Sequence, residues 1–137
     1  MKKLQINPRP TRKQRRLDPA KKYGLAGILV GMGIVHFAAD DTVEKIVPPQ
    51  LPGSARFYNY ASGVWEIATG ALLANDGTRR LGGLSAATLF LAVWPANMYH
   101  AYLEREEEGA KRLYHVLRLP AQIPLIEYAR RIWKGRA

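Results

Sequence analysis

The chain has no cysteine, which excludes a disulfide framework, thiolate metal sites and thiol-disulfide exchange by this chain alone. Histidine is scarce: His36, His100 and His115 form no HxxxH or HxxE pair within one helix, so no metal site is expected. Acids are scarce too, 11 Asp and Glu against 21 Lys and Arg, for a formal net charge of +10. Charge is absent altogether from long stretches. Leu81 to Tyr102 has no Lys, Arg, Asp or Glu over 22 residues, and Tyr23 to Ala39 has none either.

The basic residues that are present are concentrated. Nine Lys or Arg fall in residues 1–22 together with Pro8, Pro10 and Pro19, a composition that cannot bury a core. This tail pulls the mean hydropathy down to -0.22 and hides the apolar character of residues 23–133. It fits a segment that fixes orientation and touches anionic lipid headgroups. Docking on an acidic protein is a second reading. Nucleic acid is a third and is set aside, because no aromatic residue precedes Tyr23.

Beyond the tail lie four apolar segments, at about 23–39, 57–73, 81–102 and 114–129, and they predict an all-α fold, a four-transmembrane-helix bundle. The domain division is a basic tail 1–22, a membrane domain 23–133 and a basic end 134–137. The first segment is not a cleaved signal peptide, since His36 and Phe37 stand where a small residue is needed. Its Gly27 and Gly31 have the spacing that permits close helix approach, read as packing within one chain. Between segments 1 and 2, Asp41 and Glu44 resemble a capping box for a short interfacial helix, which Pro48 and Pro49 terminate. Asp76-Gly77 marks a tight turn, Pro95 is placed to kink the third segment, and Pro120 and Pro124 weaken the fourth.

Charge sets the topology. An even number of spans puts both termini on one side, with Arg79 and Arg80; that side holds 15 Lys and Arg and the other holds six. The positive-inside rule then places both termini in the cytoplasm of a bacterial-type inner membrane, with the lipid bilayer as the first partner.

One carboxylate breaks this pattern. Glu66 lies in the middle of Phe57 to Leu73, a 17-residue run with no Lys, Arg or Asp, which as a helix covers about 25 Å. An ionisable group at such depth marks a functional site and needs a partner. Counted from the outer ends, Glu66 is nine residues into its segment, Asn97 five from its end, Arg118 and Gln122 four and eight in, and His36 three from its end. All five fall in the outer half. Ser62, Glu66 and Gly70 share a helix face, as do Arg118 and Gln122. One polar cluster is expected, in which Arg118 pairs with Glu66, and His36, Asn97 and Gln122 add hydrogen bonds. Such a cluster fixes helix register, holds a ligand or carries protons.

Six motifs carry a resemblance: GxxHF at Gly33 to Phe37, IVPPxLP at Ile46 to Pro52, SGxxEI at Ser62 to Ile67, TRRLGG at Thr78 to Gly83, VWPANMY at Val93 to Tyr99 and LRLPxQ at Leu117 to Gln122. In this order and spacing the chain resembles the DoxX-like four-helix membrane proteins over roughly residues 24–128. The basic tail, the acidic segment from Glu104 to Lys111, and Ala121 depart from that pattern. The resemblance implies a compact membrane bundle and places His36, Glu66, Asn97, Arg118 and Gln122 on motif positions. It also implies companionship with redox enzymes, since the family name comes from a subunit of a sulfur-compound:quinone oxidoreductase.

The expected function is a non-catalytic accessory component, a partner of other membrane proteins, with a polar pocket in its outer half and no certain cofactor. The alternative is a subunit of a quinone-linked oxidoreductase that binds a quinone headgroup near Glu66 and Arg118. A soluble basic protein that binds nucleic acid conflicts with the uncharged run from Leu81 to Tyr102.

Overall fold

A computed structural model describes residues 19–137, so most of the predicted basic tail 1–22 lies outside the described residues. The fold is all-α: α1 Pro19–Ala38, α2 Asp40–Glu44, α3 Ala55–Ala74, α4 Arg79–Leu103 and α5 Ala110–Trp133.

Local chemistry fixes the ends. Gly53 takes φ 97°, and Ser54, extended at φ -98° and ψ 144°, accepts a hydrogen bond from the Phe57 amide through its side chain. That cap starts α3 at Ala55, ahead of the apolar run, and admits Arg56 to the first turn. At the other end Thr78 Oγ1 donates to the Leu72 carbonyl at 2.9 Å and Arg79 Nη1 to that of Leu73 at 3.1 Å. A guanidinium there suits the negative end of the helix. Arg80 Nε serves α5 in the same way, donating to the Trp133 carbonyl at 2.9 Å. At its start, α5 succeeds Gly109 with φ 63°. Lys111 and Arg112 are exposed and are therefore accommodated in its first turn, which sequence alone assigns to the preceding loop. α4 continues through Pro95, and α5 through Pro120 and Pro124.

The predicted capping box at α2 does not form. Ala39 is the residue before the helix and offers no side-chain cap. Asp40 and Asp41 instead lie inside the first turn, where their charge meets the helix's positive end, and Glu44 turns to Arg56 Nε at 3.0 Å.

The long helices pack in sequence: α1 on α3, α3 on α4 and α4 on α5, with α2 on α3. α3 and α5 make no close backbone contact. The apolar core lies at the end that holds the start of α1, the α3-α4 turn and the end of α5. Leu25, Ala26 and Leu29 meet there with Leu73, Ala86, Leu89, Phe90, Ala129 and Ile132. The opposite end is polar inside.

Close approach depends on glycines, though not on the pair singled out in the sequence. A Cβ on Gly27 or Gly31 would meet nothing within 4 Å, because both face outward. One on Gly33 would lie 2.7 Å from the Gly63 carbonyl oxygen, and one on Gly83 2.5 Å from the Trp133 amide nitrogen. The α1-α3 and α4-α5 contacts are therefore backbone to backbone at these points.

Candidate functional site

The polar end carries two clusters, one in each outer helix pair. The first joins α1 to α3. Asn59 Nδ2 donates to the His36 carbonyl at 2.9 Å, which fixes the amide and turns Oδ1 toward His36 Nδ1, 2.6 Å away. His36 Nδ1 therefore carries a proton and donates it. The other ring nitrogen, Nε2, lies 3.3 Å from Glu66 Oε2. A neutral imidazole protonated on Nδ1 would set a lone pair against the carboxylate, so the contact is favourable only when the pair holds one further proton. Glu66 is 5% exposed, and Oε2 is at ion-pair distance but has no hydrogen bond. The pair joins α1 to α3, with Glu66 buried and His36 partly buried.

The second cluster joins α4 to α5. Glu104 Oε2 is 2.7 Å from His115 Nε2 and 3.5 Å from His100 Nε2. The two imidazoles meet edge to face with centroids 4.7 Å apart. Arg118 Nη1 stands 3.2 Å from His100 Nδ1, with its Cζ 5.4 Å from the centre of the Tyr114 ring. The hydrogen bond from His115 holds the Glu104 carboxyl below the usual carboxylate range.

The five residues predicted to form one cluster are thus separated. His36 and Glu66 meet as expected. Arg118 does not pair with Glu66: it is on α5, Glu66 is on α3, and α4 stands between them. Gln122, buried on α5, donates to the Phe90 carbonyl at 3.3 Å. Asn97 is buried in α4. Rise per residue gives the height of each side chain along its own helix, but height does not fix which helices are neighbours.

Sequence reasoning missed Asn59, His100, Glu104 and His115. Asn59 precedes Glu66 by seven residues and so lies on the same helix face; His100 and Glu104 are i, i+4. Both spacings were readable. The cross-helix meeting with His115 was not. Between α3 and α4, Ser85 Oγ accepts from Trp65 Nε1 at 2.9 Å and shares a hydrogen bond with Thr69 Oγ1 at 2.7 Å. An open groove of about 660 Å3 lies on the outer face of α3, bordered by Ser54, Arg56, Phe57, Tyr60, Ala61, Val64 and Trp65, and none of the five residues lines it.

Fold and site define an all-helical protein with polar side chains clustered inside one end. Residues 25–133 match the family described as "Domain of unknown function (DUF8561)", and the chain belongs to that family. No match is found among curated proteins or solved structures.

Proposed function

We propose that the protein is an integral membrane four-helix bundle of a bacterial-type inner membrane, crossed by α1, α3, α4 and α5, and that it works as a non-catalytic accessory partner of other membrane components. The observation that carries this is an inverted distribution of side chains. Ile28, Ile34, Val64, Leu81, Leu91, Val116, Leu117 and Ile123 are each more than half exposed, while Asn59, Glu66, Thr69, Asn97, His115 and Gln122 are buried. In water such a surface is costly, at about 25 cal/mol per Å2 of apolar area. In a bilayer it has no cost, and polar side chains link the helices there, Asn59 to His36, Thr69 to Ser85 and Gln122 to the Phe90 carbonyl.

The helix lengths of 20, 20, 25 and 24 residues give about 30 to 38 Å at 1.5 Å per residue, enough for a hydrocarbon core of about 30 Å. Among the described residues α4 alone is long and apolar enough by composition to cross a membrane, with 33% of its most apolar stretch buried, and α1 contributes the shorter apolar stretch Tyr23–Ala38. Arg79, Arg80, Arg130, Arg131, Lys134 and Arg136 all gather at the end that carries the C-terminus, which supports a cytoplasmic placement of that end. The resemblance to DoxX-like membrane proteins is in keeping with a membrane bundle.

An accessory role is favoured over catalysis because each cluster ties two helices together, His36 to Asn59 across α1 and α3 and His115 to Glu104 across α5 and the end of α4, the arrangement that fixes helix register. A quinone headgroup held between Glu66 and Arg118 loses its two-point contact, since these residues belong to different clusters.

Extraction of isolated membranes with alkaline carbonate tests the membrane placement: retention in the pellet is expected, and release into the supernatant overturns it. For the accessory role, the tagged chain is purified from native membranes in mild detergent. Co-purification of a membrane protein in fixed stoichiometry is expected, and a chain that purifies alone overturns the role.

A further inference from the structure

The cluster at the end of the α4-α5 pair has a composition that register-fixing does not require. We propose that His100, Glu104 and His115 form a binding site for one first-row divalent transition-metal ion, Zn2+ being the simplest probe. The inference goes beyond the membrane reading and does not depend on it.

The donor set is two imidazoles and one carboxylate, which suits zinc and its neighbours better than calcium or magnesium. One ligand atom from each residue lies within 4.8 Å of the others. With bonds of about 2.0 to 2.2 Å, two ligands of a tetrahedral ion stand about 3.3 Å apart. The Glu104 Oε2 separation of 3.5 Å to His100 Nε2 is close to that value, and the 2.7 Å hydrogen bond to His115 Nε2 would open by about 0.6 Å to admit the ion. His115 is buried, with a side chain 7% exposed, whereas His100 and Glu104 keep 21% and 34%. One ligand is therefore fixed, and the other two face the side from which an ion arrives. Three protein ligands leave a position for water.

As a hydrogen-bonded group alone the trio is incomplete. Both imidazoles converge on the same carboxylate oxygen, and His115 Nδ1 is buried without a partner. The field also favours a cation. Glu104 is the C-terminal cap of α4, at the negative end of the helix, and three further glutamates stand at 106–108.

Arg118 opposes the ion in a way that can be tested. With the guanidinium donating to His100 Nδ1, the imidazole proton resides on Nε2, the nitrogen the metal needs. Coordination through Nε2 shifts that proton to Nδ1, where it would confront the guanidinium. Arg118 must then withdraw, toward the Tyr114 ring that it already overlies. Arg118 is a positioning residue that weakens metal binding.

The full chain, purified in detergent with a tag that contains no histidine and stripped with a chelator, is titrated with Zn2+ against a chromogenic competitor. One equivalent of Zn2+ per chain is expected, weakened by about tenfold or more in E104Q and H115Q, unchanged in H36Q and tightened in R118Q. Co2+ should give the intense visible absorption of a four-coordinate site in the wild type and lose it in E104Q. H100Q, at the more exposed ligand, supplies a second test if H115Q does not fold. Absence of stoichiometric Zn2+ in the wild type overturns the site, as does binding of undiminished affinity in both E104Q and H100Q.

Discussion

Asn59 holds His36 at two points, donating from its amide to the His36 carbonyl at 2.9 Å and receiving the imidazole Nδ1 at 2.6 Å. The carbonyl near the end of α1 and the ring are thereby locked to α3 together. Asn59 is 1% exposed, so its removal leaves the His36 carbonyl and Nδ1 without their side-chain partner inside the protein. Asn59→Ala is expected to destabilise the protein by about 1 to 3 kcal/mol, the cost of leaving buried polar groups unpaired. Denaturation in mixed detergent micelles measures this, and a midpoint equal to wild type would show that the two contacts carry no energy.

The lock determines what Glu66 can pair with. Because Nδ1 is committed as a donor, Nε2 is the ring nitrogen that faces Glu66, at 3.3 Å. A double-mutant cycle of His36→Gln and Glu66→Gln is expected to show a coupling of about 0.5 to 3 kcal/mol. The cycle of Glu66→Gln and Arg118→Gln should be additive within about 0.5 kcal/mol, because the two side chains belong to separate clusters. Coupling in the second cycle and none in the first would reverse the assignment of partners.

The contrast between those cycles marks what the sequence could convey. Helix existence was legible, since uncharged runs and their bounding charges map directly onto α1, α3 and α4. The expected span 81–102 became Arg79–Leu103. Ends were less legible: α3 begins at Ala55 because Ser54 caps it, and α5 begins at Ala110 because long basic side chains reach solvent from its first turn. Lateral order was not legible. Rise per residue gives height along a helix, and Glu66 and Arg118 have compatible heights, but nothing in hydropathy states that α4 separates α3 from α5. His100 and Glu104 share a face by spacing alone, yet their partner His115 is set by the fold of the α4-α5 hairpin.

Glycine positions separate packing seams from free faces. Gly83→Val would place a Cβ 2.5 Å from the Trp133 amide nitrogen and 2.8 Å from the Ala129 carbonyl oxygen. Both are helix backbone and cannot rotate away, so α5 must shift. A loss of about 1 to 3 kcal/mol is expected from overpacking. Gly31→Val, where a Cβ meets nothing within 4 Å, should leave the monomer's stability within about 0.5 kcal/mol of wild type. Equal losses at both positions would mean that the outward face of α1 is also packed.

The absence of cysteine makes the topology directly measurable, because any introduced thiol is unique. Glu108 lies in the α4-α5 connection and Lys134 just beyond α5, and both are exposed. In the proposed four-span arrangement α5 crosses once between them, which would put them on opposite sides of the bilayer with Lys134 in the cytoplasm. In intact spheroplasts a membrane-impermeant maleimide is expected to label Glu108→Cys and to label Lys134→Cys only after permeabilisation. Labelling of both without permeabilisation would place the two ends of α5 on one side. The helix would then lie along the membrane, its exposed Val116, Leu117 and Ile123 would need another cover, and the four-span arrangement would fail.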